Sequence, residues 1–216
     1  MFPVEIIGYI GNFDSNNIKN LLRLNKYINQ ELYKHITVLH INKFMNDNIM
    51  CRFENLEYLY SESEEIKDNE IKSLTRLKHL SLPYSKNITD KGISHLSNLE
   101  KLDLRYNNNI TDEGVKELKN LNYLYMMHNK NITDDGVKEL KKLIHLDLCY
   151  NQNITDEGLK ELKNLIYLNV YTNQNITSQS LSNMKELRYC LLYTKQIYDG
   201  LKDLKNLEKV LFYKSF

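Results

Sequence analysis

Apolar residues recur along the chain as Leu-x-x-Leu-x-Leu, and through the centre the pattern returns every 22 residues: Leu99, Leu102, Leu104; Leu121, Leu124, Met126; Leu143, Leu146, Leu148; Leu165, Leu168, Val170. Alternation of apolar and polar positions over so short a run predicts a strand, with the leucines turned inward and Lys101, Asp103 and Arg105 turned out. Asn107 follows at the turn, where a short amide can bond backbone groups as the chain leaves the strand. Asn129, Asn151 and Asn173 repeat it. Ile110 then returns to the core, Thr111 is placed to cap a helix, and Asp112 and Glu113 put negative charge on its first turn. Val115, Leu118 and Leu121 supply the inner face of that helix. A single unit of this kind cannot bury its own apolar face, so neighbours must stack.

The phrase Asn-Ile-Thr marks the same place in five units, at Asn87, Asn109, Asn131, Asn153 and Asn175. A Leu-x-x-Leu-x-Leu-x-x-Asn core on a period of 20 to 29 residues resembles the leucine-rich repeat. The resemblance implies an α/β solenoid, with parallel strands on a concave side and helices on a convex side. The remaining strands index as Ile36, Leu39, Ile41; Leu56, Leu59, Ser61; Leu77, Leu80, Leu82; Leu187, Cys190, Leu192; and Leu207, Val210, Phe212. Nine strands are expected across 36–216, most regular over 77–192, with loops and imperfect helices over 42–55 and the acidic stretch 61–70. Near the last strand, Phe212, Tyr213 and Phe216 either pack over the final layer or offer it to a partner.

Residues 1–35 have a helical spacing instead, with Ile18, Leu21, Leu22, Leu24 and Ile28 three or four residues apart. Phe2-Pro3-x-Glu5-Ile6, Ile10, Phe13 and Ile18-x-x-Leu21-x-x-Leu24-Asn25-Lys26-x-Ile28 resemble an F-box, with Phe2 in place of its usual Leu and Ile28 in place of its Trp. Together with Ile-Thr-Asp-x-Gly-x-x-x-Leu, as at Ile110 to Leu118, the arrangement is similar to F-box/leucine-rich-repeat proteins. That resemblance implies a non-enzymatic adaptor. Phe2, Pro3, Glu5, Ile6, Ile10, Phe13, Ile18, Leu21 and Leu24 would dock a Skp1-like subunit of a cullin-type ubiquitin ligase, and the repeats would hold a protein substrate. The other reading of residues 1–35 is a cap over the first core layer.

The 216 residues carry 26% charged side chains and a net charge of +1, which argues against a nucleic-acid partner. No apolar run approaches the roughly 18 residues of a membrane span, and Met1 to Phe13 lacks the basic start of a signal peptide. With Cys51, Cys149 and Cys190 odd in number and widely spaced, a cytoplasmic, reducing location is expected. The Asn-Ile-Thr phrases are formal glycosylation acceptors, but Asn at a loop, Ile in the core and Thr as a cap explain them structurally.

Stacking the outward strand positions gives the candidate site. One column reads Tyr58, His79, Lys101, Tyr123, His145, Tyr167, Tyr189, Lys209; the next Tyr60, Ser81, Asp103, Tyr125, Asp147, Asn169, Leu191, Leu211; the third Glu62, Pro83, Arg105, Met127, Cys149, Tyr171, Tyr193, Tyr213. Three strand spacings put His79 and His145 on the order of 14 Å apart, too far to share a metal. Cys149 beside His145 or Asp147 is the nearest approach to a catalytic pair, and the alternation of any strand explains the proximity. Neither metal nor cofactor is expected. Tyr-rich columns with scattered charge suit a protein-binding surface. Tyr84, Tyr106 and Tyr150, one position further on, are expected to cover the turn.

Overall fold

The computed structural model describes residues 33–41, 50–192 and 201–212. The F-box-like positions from Phe2 to Leu24, and Tyr193, lie outside these residues. Among the described residues nine strands run parallel in one sheet in chain order: β1 (Val38–Ile41), β2 (Tyr58–Ser61), β3 (His79–Ser81), β4 (Lys101–Asp103), β5 (Tyr123–Tyr125), β6 (His145–Asp147), β7 (Tyr167–Asn169), β8 (Tyr189–Leu192) and β9 (Lys209–Phe212). The register holds equivalent positions opposite one another, so Leu80, Leu102, Leu124, Leu146, Leu168 and Cys190 form one inward line. Leu104, Ile110, Val115, Leu118 and Leu121 are fully buried, as are their counterparts in the next two units. The same core takes in Tyr33, whose ring meets that of Phe53 edge-on at 4.9 Å.

The return limbs are less helical than the sequence pattern suggests. Each holds a single α turn: α1 (Asp68–Ile71), α2 (Asp90–Ile93), α3 (Asp112–Val115), α4 (Asp134–Val137), α5 (Asp156–Leu159) and α6 (Ser178–Leu181). After α3 the chain continues through i→i+3 turns, Leu118 N–H to Val115 O at 2.9 Å and Leu121 N–H to Leu118 O at 3.0 Å. The unit leaves only the stretch from Thr111 to Leu121 to return to the next strand, and tight turns bring its leucines inward within that length. Among the described residues no helix is long and apolar enough to cross a membrane.

Two polar ladders tie one unit to the next. Asn129, fully buried, donates from Nδ2 to Asn107 O (2.8 Å) and Ile110 O (2.9 Å) and accepts at Oδ1 from Asn131 N–H (2.8 Å) and Ile132 N–H (2.9 Å). Every hydrogen-bonding site of the amide is used, half on its own turn and half on the preceding unit. Asn107, Asn151 and Asn173 repeat the arrangement. The second ladder uses the aspartates. Asp112 accepts from the N–H of Thr133 (2.8 Å) and from its hydroxyl (2.6 Å), while Thr133 Oγ1 accepts from Asp135 N–H and so caps α4. The expected caps at Thr111 and its equivalents are present, but Asp112 also binds the following unit besides charging its own helical turn. Gly136 makes room for this carboxylate: a Cβ there would lie inside contact distance of Asp112 Oδ1. Ser180 takes the equivalent place in α6, and its hydroxyl donates to Asp156 at 2.5 Å.

Candidate functional site

The outward sheet face carries the predicted columns in register: Tyr58, His79, Lys101, Tyr123, His145, Tyr167 and Tyr189 lie side by side, and Tyr60, Ser81, Asp103, Tyr125, Asp147 and Asn169 form the next row. Strand order makes neighbours of the rings. The imidazole of His145 stacks on Tyr167 at 3.9 Å with 8° between planes, tilts against Tyr125 at 4.7 Å, and reaches Tyr123 at 5.9 Å. Lys101 Nζ stands 5.5 Å from the Tyr125 ring centre and 5.9 Å from that of Tyr123. At the other end of the sheet, Tyr58 meets His79 edge-on at 4.5 Å and His40 tilts against Tyr60 at 5.2 Å.

The carboxylates of this face are turned to structural work. Asp103, buried, holds Arg105 in a two-pronged ion pair, Nε to Oδ1 at 2.9 Å and Nη2 to Oδ2 at 2.8 Å. Asp147 accepts from Cys149 N–H at 3.0 Å and from Asn169 Nδ2 at 3.1 Å, closing the end of its own strand. Burial lowers the His145 imidazole to about 4, with the Lys101 charge adding to the effect, so the ring is neutral over the physiological range. Burial raises the Cys149 thiol to about 11, with Asp147 pushing the same way, so it stays protonated, and Tyr167 rises to about 12 for the same two reasons. A protonated, buried thiol next to an engaged carboxylate is a packing arrangement, not an activated nucleophile. Among the described residues no group of three or more His, Cys, Asp and Glu is placed to hold a metal ion.

A second aromatic row runs along the margin of the face, at the position just past the third column. Tyr84, Tyr106, His128 and Tyr150 stack in sequence at 4.8, 4.8 and 4.2 Å, with planes within 20° of parallel. Each has a left-handed backbone, with φ between 63° and 69°. That conformation costs an ordinary residue roughly 1–2 kcal/mol. It is imposed because the N–H of each still donates to the next unit, as Tyr106 does to Met127 O at 2.8 Å, while the following Asn turns into the core. The three tyrosines are 37–47% exposed, so they cover the turn as expected and also present a continuous edge of rings to solvent.

Family models described as leucine-rich repeats match residues 97–139, in two copies, and 139–163. Residues 97–163 match leucine-rich repeats, and the parallel strands on either side continue the same fold. Among solved structures, an internalin (inlF) of Listeria monocytogenes aligns over 92% of this chain and 61% of its own, at 23% identity and a TM-score of 0.74. Internalin C2 of the same organism aligns over 98% and 96%, at 21% identity and 0.66. A chain of the Rad7 and Elc1 complex of yeast aligns over 84% and 60%, at 16% identity and 0.54. This chain thus spans about three fifths of the inlF and yeast chains, and the likeness is one of fold. No curated protein matches the sequence.

Of the predicted face, Tyr123, Tyr125, His145 and Tyr167 join Lys101 in one cluster, Asp103 and Arg105 pair with each other, and Asp147, Asn169 and Tyr171 lie together where Tyr171 N–H donates to Asn169 at 3.1 Å. Tyr58, Tyr60 and His79 line a groove with Lys101 and Asp103, and Tyr189 donates its hydroxyl to Glu208 at 2.5 Å. The leucine-rich repeat pattern alone could have shown His128 as the missing rung between Tyr106 and Tyr150, since all three immediately precede a ladder asparagine. The left-handed backbone that aligns their rings has no sequence signal other than that position.

Proposed function

We propose that this leucine-rich-repeat chain is a protein-binding module whose partner seats on the outward sheet face, centred on Tyr123, Tyr125, His145 and Tyr167. The observation that carries the reading is that cluster itself: stacked, partly exposed rings next to one cation, on a face whose carboxylates are buried or engaged. Rigid aromatic side chains supply large contact area at little entropic cost, and interface centres favour them. In its finer form the proposal is an adaptor: residues 2–24 dock a Skp1-like protein of a cullin-type ubiquitin ligase, and the sheet face holds the substrate. The F-box resemblance supports this form, and a solved neighbour that is a two-protein complex, Rad7 with Elc1, is consistent with it.

Calorimetric titration of the full chain with the Skp1-like protein of its own host tests the adaptor form. Binding that is lost in a still-folded Pro3→Ala/Ile6→Asp variant supports it; no binding by the intact chain leaves residues 1–35 as a cap. The face is tested separately, by affinity capture with the chain and with Tyr125→Ser/Tyr167→Ser. A partner retained equally by both would place binding elsewhere.

A further inference from the structure

Lys101 stands within the sheet face, opposite His79 on β3 and Tyr123 on β5. Its side chain is partly buried and carries Nζ to 5.5 Å from the Tyr125 ring centre and 5.9 Å from that of Tyr123. Among the described residues it has no ion pair. The carboxylates of the face are committed elsewhere. Asp103 holds Arg105 at 2.9 and 2.8 Å and accepts from the Ser81 hydroxyl at 3.3 Å. Asp147 accepts from Cys149 N–H and Asn169 Nδ2, and Glu62 accepts from the Tyr60 hydroxyl at 2.5 Å. The field of the ammonium reaches rings on both sides of it. Burial lowers the imidazoles of His79 and His145, and the Lys101 charge lowers both further, with Glu100 opposing it at His79. Lys101 also lines the groove walled by His40, Tyr58, Tyr60 and His79, where Tyr58 meets His79 edge-on at 4.5 Å. Folding has already stripped part of the water from this ammonium, so an incoming anion gains more here than at an exposed lysine.

We infer that an aspartate or glutamate side chain of the bound protein seats on Lys101, between the groove of Tyr58 and His79 on one side and the rings of Tyr123 and Tyr125 on the other. The inference rests on the sheet face being a protein-binding surface and names a chemical feature of the partner. A carboxylate answers the single unpaired charge with a charge-assisted hydrogen bond. A basic side chain would set a second cation beside Lys101. A doubly charged phosphate would suffer more than a carboxylate from Asp103 and Asp147, which occupy the adjacent column. Complementary charge at this point also fixes the register of the partner across the strands.

The test is a two-dimensional NMR titration of the full chain at low salt with N-acetyl-glutamate amide, with its neutral counterpart N-acetyl-glutamine amide and with N-acetyl-phosphoserine amide. Glutamate is expected to shift the amides of His79, Lys101 and Tyr123 and to bind at least about fivefold more tightly than glutamine. Lys101→Arg, which keeps the charge, should retain that preference. Lys101→Met, which keeps an apolar stem over the rings, should bring glutamate down to the level of glutamine; circular dichroism checks that both variants fold. Equal binding of glutamate and glutamine, tighter binding of phosphoserine, a preference that survives in folded Lys101→Met, or the lack of any shift localised at Lys101 would overturn the inference. A single amino-acid probe binds without any partner, so a negative result here leaves the protein-binding reading standing.

Discussion

Replacing Asn129 by alanine isolates the interaction on which the stacking of units most depends. The side chain is fully buried and makes four hydrogen bonds of 2.8–2.9 Å, two of them across the unit boundary to Asn107 O and Ile110 O. Alanine leaves four backbone groups without their partner. Water can reach some of them, but the N–H of the buried Ile132 and the carbonyl of the buried Ile110 are enclosed. At roughly 1–3 kcal/mol for each stranded buried group, the expected loss is about 4 kcal/mol. Urea unfolding followed by circular dichroism, with a slope of about 2.5 kcal/mol/M, should then show the midpoint falling by about 1.5 M. Asn131→Ala is the matched control: its exposed amide makes one bond, to Asn108 O at 2.5 Å, and its removal should cost only about 0.5 kcal/mol. A midpoint for Asn129→Ala within the shift of that control would refute the claim that the buried amide ladder couples the units.

Three further outcomes follow from the same geometry. Gly136→Ala should destabilise by about 2 kcal/mol by displacing Asp112 from Thr133, and Gly136→Ser should cost less despite its extra atom, because a hydroxyl can donate to that carboxylate as Ser180 does to Asp156; thermal melts of the pair decide it. Tyr106→Val should be less stable than Tyr106→Asn by about 1–2 kcal/mol in urea, since a β-branched residue resists a φ of 63° that asparagine tolerates. His145 takes up its proton near 6.5 when unfolded and only near 4 when folded, so acidification through that window favours the unfolded state. The melting temperature should fall between pH 6.5 and 4, and His145→Gln should flatten that part of the profile; an unchanged profile would show that the ring is not held neutral.

The repeat period made the fold legible because each polar ladder sits at a fixed offset from the leucines. Asn107 and Thr111 could be assigned as turn and cap from residue chemistry alone, and the structure places them so. Asp112 was only half legible. Its place on a helical turn is visible in sequence, but its bond to Thr133 depends on how far one unit lies from the next, a distance that no local pattern encodes. The same holds for the rings. Outward Tyr123, Tyr125, His145 and Tyr167 were legible from alternation, whereas the marginal row of Tyr84, Tyr106, His128 and Tyr150 arises from a left-handed turn that sequence pattern does not announce. Helix length was overread, because the 3-residue spacing of Val115, Leu118 and Leu121 suits consecutive tight turns as well as a helix.

Photo-crosslinking tests the central claim most directly. A benzophenone amino acid is placed at position 125 on the sheet face, or at position 141 on the opposite, helical side, and the chain is irradiated in cells of its own host. A protein adduct from position 125, with none from position 141, is the result expected if the aromatic sheet face is the binding surface. Adducts from position 141 alone, or none from position 125 with the chain folded and expressed, would contradict it.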